Sequence, residues 1–121
     1  IDVAFDLNDD VWTMLEMYPK FDEILAEDIV EHLPDTINFM NHCWEYLVKG
    51  GKLIIRTPSY DAPFAWSDPT HVKVFTIDSF DFFDPSTPYG SYNKHLTEKK
   101  WKIISKVKTA NDNLEIELEK I

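Results

Sequence analysis

The sequence predicts an α/β protein: a three-layer α/β sandwich on a parallel sheet that closes with an antiparallel hairpin. Three stretches predict it. Phe21 to Ala26 is nearly all apolar after Asp22 and Glu23, which suits a strand buried on both faces of a parallel sheet. Asp35 to Gly51 has the spacing, cap and stop of an amphipathic helix, and Lys-Leu-Ile-Ile-Arg-Thr follows at once over 52–57. Strand, helix and strand joined by tight turns make a right-handed crossover unit. Trp101 to Ile121 alternates apolar with charged residues on both sides of Ala110-Asn111-Asp112-Asn113, the pattern of a hairpin.

Taken in order, Ile1, Val3 and Phe5 alternate with Asp2 and Ala4, so Ile1 to Leu7 reads as a short strand closed by the turn formers Asn8, Asp9 and Asp10. Val11 to Tyr18 follows as a short helix capped by Asp9 or Asp10, with Trp12, Leu15 and Met14 or Tyr18 inward, until Pro19 ends it. After the second strand, Asp35 caps a helix whose Ile37, Met40, Trp44, Leu47 and Val48 share a face, and Gly50-Gly51 supplies a left-handed stop. Pro58 stops the third strand. Residues 58–75 hold Pro58, Pro63 and Pro69 and no stable period, which makes a long loop. Tyr60, Phe64, Trp66 and Phe75 give that loop aromatic surface that calls for burial. Thr76 caps one or two helical turns through Phe83, and Asp84 to Leu96 is irregular. In the hairpin, Trp101, Ile103, Ile104 and Val107 alternate with Lys102, Ser105, Lys106 and Lys108. Leu114, Ile116, Leu118 and Ile121 alternate with Glu115, Glu117 and Glu119, so a Lys-rich strand faces a Glu-rich one.

The 121 residues fit one domain, 1–121, and its opening at Ile1 inside a predicted strand leads us to expect a domain that continues upstream. The formal charge of −10 is concentrated at the front. Residues 1–35 hold eleven acidic side chains against Lys20 alone, whereas residues 36–121 hold eleven of each sign. Such a field repels phosphate backbones, so no nucleic-acid partner is expected. With no apolar run near the roughly 18 residues of a membrane span, and no signal-peptide pattern, a cytoplasmic protein without a membrane partner is expected. The lone Cys43 falls in a helix, where a small buried thiol is the ordinary occupant.

The chemistry-bearing residues cluster after the second strand. Glu27, Asp28, Glu31 and His32 fall within six positions at its carboxyl end, where open α/β sheets hold ligands; the alternative is a solvated acidic turn. Glu31 and His32 are suited to orienting or deprotonating a substrate, or to a structural hydrogen bond at a helix entrance. Asp68 and His71, three apart in a Pro-containing turn, suit a carboxylate–imidazole pair in which the acid fixes the tautomer of the base. They equally suit a loop lock in which Asp68 and Thr70 satisfy backbone donors. His42 lies on a helix face and His95 in an irregular segment, and no metal site is expected.

In order and spacing, several segments resemble the class I S-adenosylmethionine-dependent methyltransferases: Phe5-Asp6-Leu7, Phe21 to Leu33 with its Glu-His-Leu, Leu47 to Ile55 with its Lys-Gly-Gly-Lys-Leu turn, and Ser67-Asp68-Pro69-Thr70-His71 before Phe75-Thr76. The resemblance covers nearly the whole chain and implies a Rossmann-like methyltransferase sheet, present in part, with S-adenosylmethionine as cofactor. It places residue 1 in the family's third strand. It implies that Asp6 accepts a hydrogen bond from the adenine amino group, that the Leu7 backbone meets the ring edge, and that Glu27, Asp28 and Ile29 line the methionine end. The family's first strand, glycine-rich turn and ribose-binding acid have no counterpart here, the only glycines being at 50, 51 and 90. These residues alone are therefore expected to bind the cofactor weakly or not at all.

The expected function is a methyltransferase, or a fragment of one, acting on a small-molecule, sugar or lipid-precursor acceptor, with His71 backed by Asp68 as first choice of base and His32 as second. Two other readings stand beside it. One is a non-catalytic methyltransferase-like interaction domain that has lost the cofactor and dimerises through an exposed edge of its first strand. The other is a metal-dependent hydrolase using Asp68, His71 and His32.

Overall fold

A computed structural model describes residues 19–121. The predicted strand over 1–7 and helix over 11–18, and with them Asp6, Leu7 and the first-strand edge, lie outside the described residues. In chain order the described elements are β1 (Phe21–Glu27), α1 (Thr36–Tyr46), β2 (Leu47–Pro58), α2 (Pro63–Ser67), α3 (Pro88–Tyr92), β3 (Trp101–Lys108) and β4 (Asn113–Lys120). Short 3-10 turns lie at Val30–His32 and Ser79–Phe83. The strands form one sheet in the order β1-β2-β4-β3. β1 and β2 are parallel, and β4 is antiparallel to both β2 and β3, so the crossover unit and the terminal hairpin both form.

The Asp35 carboxylate accepts the Asn38 N–H at 2.9 Å and starts α1 as a side-chain cap does. The helix ends earlier than its periodicity predicts. Leu47 is already extended and pairs with Phe21, so Leu47 and Val48 belong to β2. Two steps along β1, from Phe21 to Glu23, then match five along β2, from Leu47 to Lys52. Gly50, at φ 78°, supplies the left-handed residue that this excursion needs. The predicted left-handed glycine is thus correct, but it serves an irregularity in the strand and not the helix stop. The buried stripe of α1 is Phe39, Met40 and Cys43, while Ile37, predicted inward, stays exposed.

Strand register explains the sheet's two faces. Leu53 lies opposite Leu118, Ile55 opposite Ile116 and Thr57 opposite Leu114, and all six are buried. With Ala26 they form the core against the α1 stripe and Phe75, Phe80 and Phe83. The other face pairs Ile54 with Glu117 and Arg56 with Glu115, and there Leu25 is half exposed among the described residues rather than buried on both sides. Because β4 is central, its glutamates find cations on β2: Arg56 pairs with Glu115 and Lys52 with Glu117. A register shift between Ile103 and Ser105 turns the β3 lysines elsewhere, Lys106 to Asp78 and Asp81, and Lys108 to Asp61. That shift also leaves Ile104 and Val107 exposed.

The strict two-residue period puts Lys120, not Ile121, on the inward face of β4. Lys120 is buried, donates to the Leu47 carbonyl at 2.8 Å and lies 3.9 Å from the centre of the Trp44 ring. The long loop is held by backbone rather than by aromatic burial. Phe75 is buried and its carbonyl accepts the Tyr60 N–H, but Tyr60, Phe64 and Trp66 remain exposed. The Glu31 carbonyl accepts the N–H groups of Val72 and Lys73, which pins the end of this loop beside the first 3-10 turn. Downstream, the stretch predicted irregular contains α3, because Thr87 caps it through the Gly90 N–H and Pro88 is preset for a first helical position. A Cβ on Gly90 would lie 1.8 Å from the Asp84 carbonyl oxygen, so only glycine fits.

Candidate functional site

The carboxyl ends of the parallel strands β1 and β2 open onto a cavity of about 820 Å³. Glu27 reaches it from the end of β1, Asp28, Glu31 and His32 from the segment that follows, and Arg56 from β2. Asp68 and His71 reach it from the long loop, and Glu115 from β4. The cluster singled out in the sequence and the Asp-Pro-Thr-His segment, 36 or more residues apart, therefore face one space.

Local structure sets the first group. Asp28 sits in the left-handed region at φ 55°, and its N–H is held by the Arg56 carbonyl at 2.9 Å. This turn breaks β1 and starts the 3-10 turn that carries Glu31 and His32. Glu27 is taken up by Arg56 at 3.0 Å, and Ile29 packs partly buried against the core. Glu31 is 2% exposed and accepts from the Thr57 hydroxyl at 3.3 Å. Burial pushes its carboxyl above the usual range and the Asp28 charge adds to that, against its own backbone hydrogen bond, His32 and Thr57.

The second group settles how Asp68 and His71 are arranged. Asp68 Oδ1 accepts both the Thr70 N–H at 2.8 Å and the Thr70 hydroxyl at 2.6 Å, the loop lock, while Oδ2 lies 3.4 Å from His71 Nε2. The lock and the pair coexist. Hydrogen bonds from Thr70 hold the Asp68 carboxyl below its usual range, and the neighbouring His71 and His32 act in the same direction. The tautomer of His71 is set by a different group from the one expected. His71 Nδ1 is 3.0 Å from the Ala65 carbonyl, which can only accept, so Nδ1 carries a proton and in the neutral ring Nε2 has the lone pair. Asp68 thus faces the working nitrogen instead of orienting it from behind.

His32 follows the same logic. Its Nδ1 lies 3.3 Å from the Thr70 carbonyl and 3.1 Å from the Thr70 hydroxyl, whose proton goes to Asp68, so Nδ1 donates and Nε2 is left with the lone pair. The two imidazoles meet edge to face, with centroids 4.8 Å apart. Glu31, His32 and His71 each bring one ligand-type atom within 4.8 Å of the others, a grouping without His42 and His95 that shares His32 and His71 with the metal-dependent reading of the sequence but has Glu31 in place of Asp68. Thr57 was also missed, and Thr70, expected in the loop lock, was not expected to reach His32. Thr57 had a weak signal, a hydroxyl on the buried face of a strand at its carboxyl end.

As to S-adenosylmethionine, the donor set after β1 suits the cationic end of that molecule: Asp28 lines the cavity and makes no ion pair among the described residues. Glu27 is already matched by Arg56. The residues expected at the adenine, Asp6 and Leu7, lie outside the described ones.

No model of a known protein family matches the chain, and no curated protein matches it in sequence. Among solved structures it is similar to the N-methyltransferase NodS from Bradyrhizobium japonicum WM9, with a TM-score of 0.51 and 16% identity over 85% of this chain and 52% of that one. The chain spans about half the length of NodS. The likeness shows a methyltransferase-like fold: a mixed α/β open sheet ending in a hairpin. Among the described residues, no helix is long and apolar enough to cross a membrane.

Proposed function

We propose that these residues form the acceptor-side half of an S-adenosylmethionine-dependent methyltransferase acting on a small-molecule, sugar or lipid-precursor acceptor. The observation that carries this reading is the convergence of Asp28, His32, Asp68 and His71 on one cavity at the carboxyl ends of β1 and β2, in a fold shared with an N-methyltransferase. S-adenosylmethionine supplies the electrophilic methyl on a sulfonium. The chain supplies placement and charge. Asp28 gives a fixed negative group at the strand end, where a cationic centre is stabilised by a preorganised field. His71 offers the Nε2 lone pair to a proton on the acceptor, with its ring held by the Ala65 carbonyl and its protonated form stabilised by Asp68 at 3.4 Å. His32, linked through Thr70 to the same carboxylate, is the alternative base. Phe64 gives the cavity an apolar wall for the acceptor. Asp6 and Leu7 are proposed to hold the adenine.

Production of S-adenosylhomocysteine by the natural full-length protein, followed over a panel of hydroxyl and amine acceptors, tests this reading. For the acceptor that turns over, His71→Gln is expected to lower kcat by roughly 10²–10⁴-fold, the range of a lost general base. Cofactor affinity should be unchanged. Equal kcat for the variant would remove His71 from the mechanism.

A further inference from the structure

We infer that Glu31, His32 and His71 form a binding site for one divalent first-row transition ion. One ligand-type atom from each lies within 4.8 Å of the other two. Ligands of a tetrahedral ion at about 2.0–2.1 Å are roughly 3.3–3.4 Å apart, so the three side chains need to close by about an ångström or more. His32 is the exposed member of the three, so the adjustment falls to its side chain.

The surroundings of the two imidazoles match what a ligating histidine needs. Each has Nδ1 engaged by a carbonyl, Ala65 for His71 and Thr70 for His32, which fixes the tautomer and leaves Nε2 as the donor atom. The Glu31 carboxylate is the buried third ligand. It is 2% exposed, it lines the cavity, and among the described residues no Lys or Arg pairs with it. The Thr57 hydroxyl orients it from behind. In addition, Asp68 Oδ2 stands 3.4 Å from His71 Nε2 and adds a negative charge beside the three ligands.

Two imidazoles and one carboxylate suit zinc, cobalt, iron or manganese better than magnesium or calcium, which prefer oxygen alone. Three protein ligands leave open positions on the cavity side. An ion held at both Nε2 atoms takes the lone pairs that a base would use, so the ion-bound and base roles of His32 and His71 exclude each other; ion binding is read without the cofactor and does not depend on methyl transfer.

Titrating the protein with cobalt chloride while recording visible absorption tests it. A saturable one-to-one rise in the d–d bands is expected, together with a higher thermal midpoint. Replacing two of three ligands, in His32→Ala/His71→Ala, is expected to weaken cobalt binding at least 100-fold. Glu31→Gln should weaken it about tenfold or more, on the scale of losing a ligand or its supporting partner. Circular dichroism keeps the comparison to folded protein, and His42→Ala/His95→Ala serves as a control with unchanged binding. Absence of saturation by millimolar cobalt would overturn the inference. So would equal binding by wild type and the folded His32→Ala/His71→Ala variant, or loss of binding only in the control.

Discussion

Replacing Asp84 by Asn should destabilise the fold by about 2–4 kcal/mol, because this carboxylate ties three donors from two parts of the chain. Asp84 is buried at 3% exposure. Its Oδ1 accepts the Ser86 N–H at 2.8 Å and hydroxyl at 2.7 Å, and its Oδ2 accepts the Ile103 N–H at 2.9 Å. An asparagine keeps one oxygen. Turned to Ser86, it presents its NH₂ to the Ile103 N–H, leaving a part-buried strand donor unpaired where β3 changes register. One lost charge-assisted bond is worth about 1.5–3 kcal/mol, and the orphaned donor adds to it. For a chain of this size that corresponds to a fall of roughly 8–16 °C in thermal midpoint. The pH dependence has a definite sign. Burial alone would raise the Asp84 carboxyl, but the Ile103 and Ser86 donors outweigh it and hold it below its ordinary 3.8. A group with a depressed folded pKa contributes fully above its unfolded value and loses that contribution as pH falls through the folded one. Urea unfolding followed by tryptophan fluorescence should thus show a constant gap between wild type and variant from about pH 7 to 5, shrinking below about pH 4. A gap under about 0.5 kcal/mol at pH 7, or one that widens on acidification, would refute the reasoning.

Leu53→Ala, at a fully buried position opposite Leu118 in the centre of the sheet, should cost about 2.7–5 kcal/mol in urea unfolding. Gly90→Ala should cost more than the roughly 1 kcal/mol that restores a favoured helix residue elsewhere would suggest, since its Cβ meets the Asp84 carbonyl; loss of the folded near-ultraviolet signal or a large drop in midpoint is the expected readout. Thr57→Val keeps the shape of a fully buried side chain but removes the hydroxyl that supports Glu31. Cobalt affinity should fall about 10–100-fold, with the far-ultraviolet spectrum unchanged.

Much of the fold is legible in the sequence wherever one local rule acts alone. The Asp35 cap, the hairpin turn and the parallel step from β1 to β2 all follow from residues within one element or its immediate neighbours. Errors come where a distant partner decides. Leu47 fits the helix period, yet pairing with Phe21 takes it into a strand. The lysines of β3 look matched to the glutamates of β4, but β2 supplies the closer cations, and Lys106 finds Asp78 and Asp81 instead. The site shows the same division. Asp68, His71, His32 and Asp28 are visible as residue types and spacings. The Ala65 carbonyl that sets the His71 tautomer, and the burial that isolates Glu31, exist only once the long loop is pinned to the Glu31 backbone through Val72 and Lys73.

The central claim, that the cavity at the ends of β1 and β2 serves S-adenosylmethionine-dependent methyl transfer, is tested most directly by calorimetric titration of the natural full-length protein with S-adenosylmethionine. Saturable one-to-one binding is predicted, and Asp28→Asn should weaken it roughly tenfold, about 1.4 kcal/mol for one fixed charge near a sulfonium. Absence of a binding heat at millimolar cofactor, confirmed by equilibrium dialysis, would contradict it.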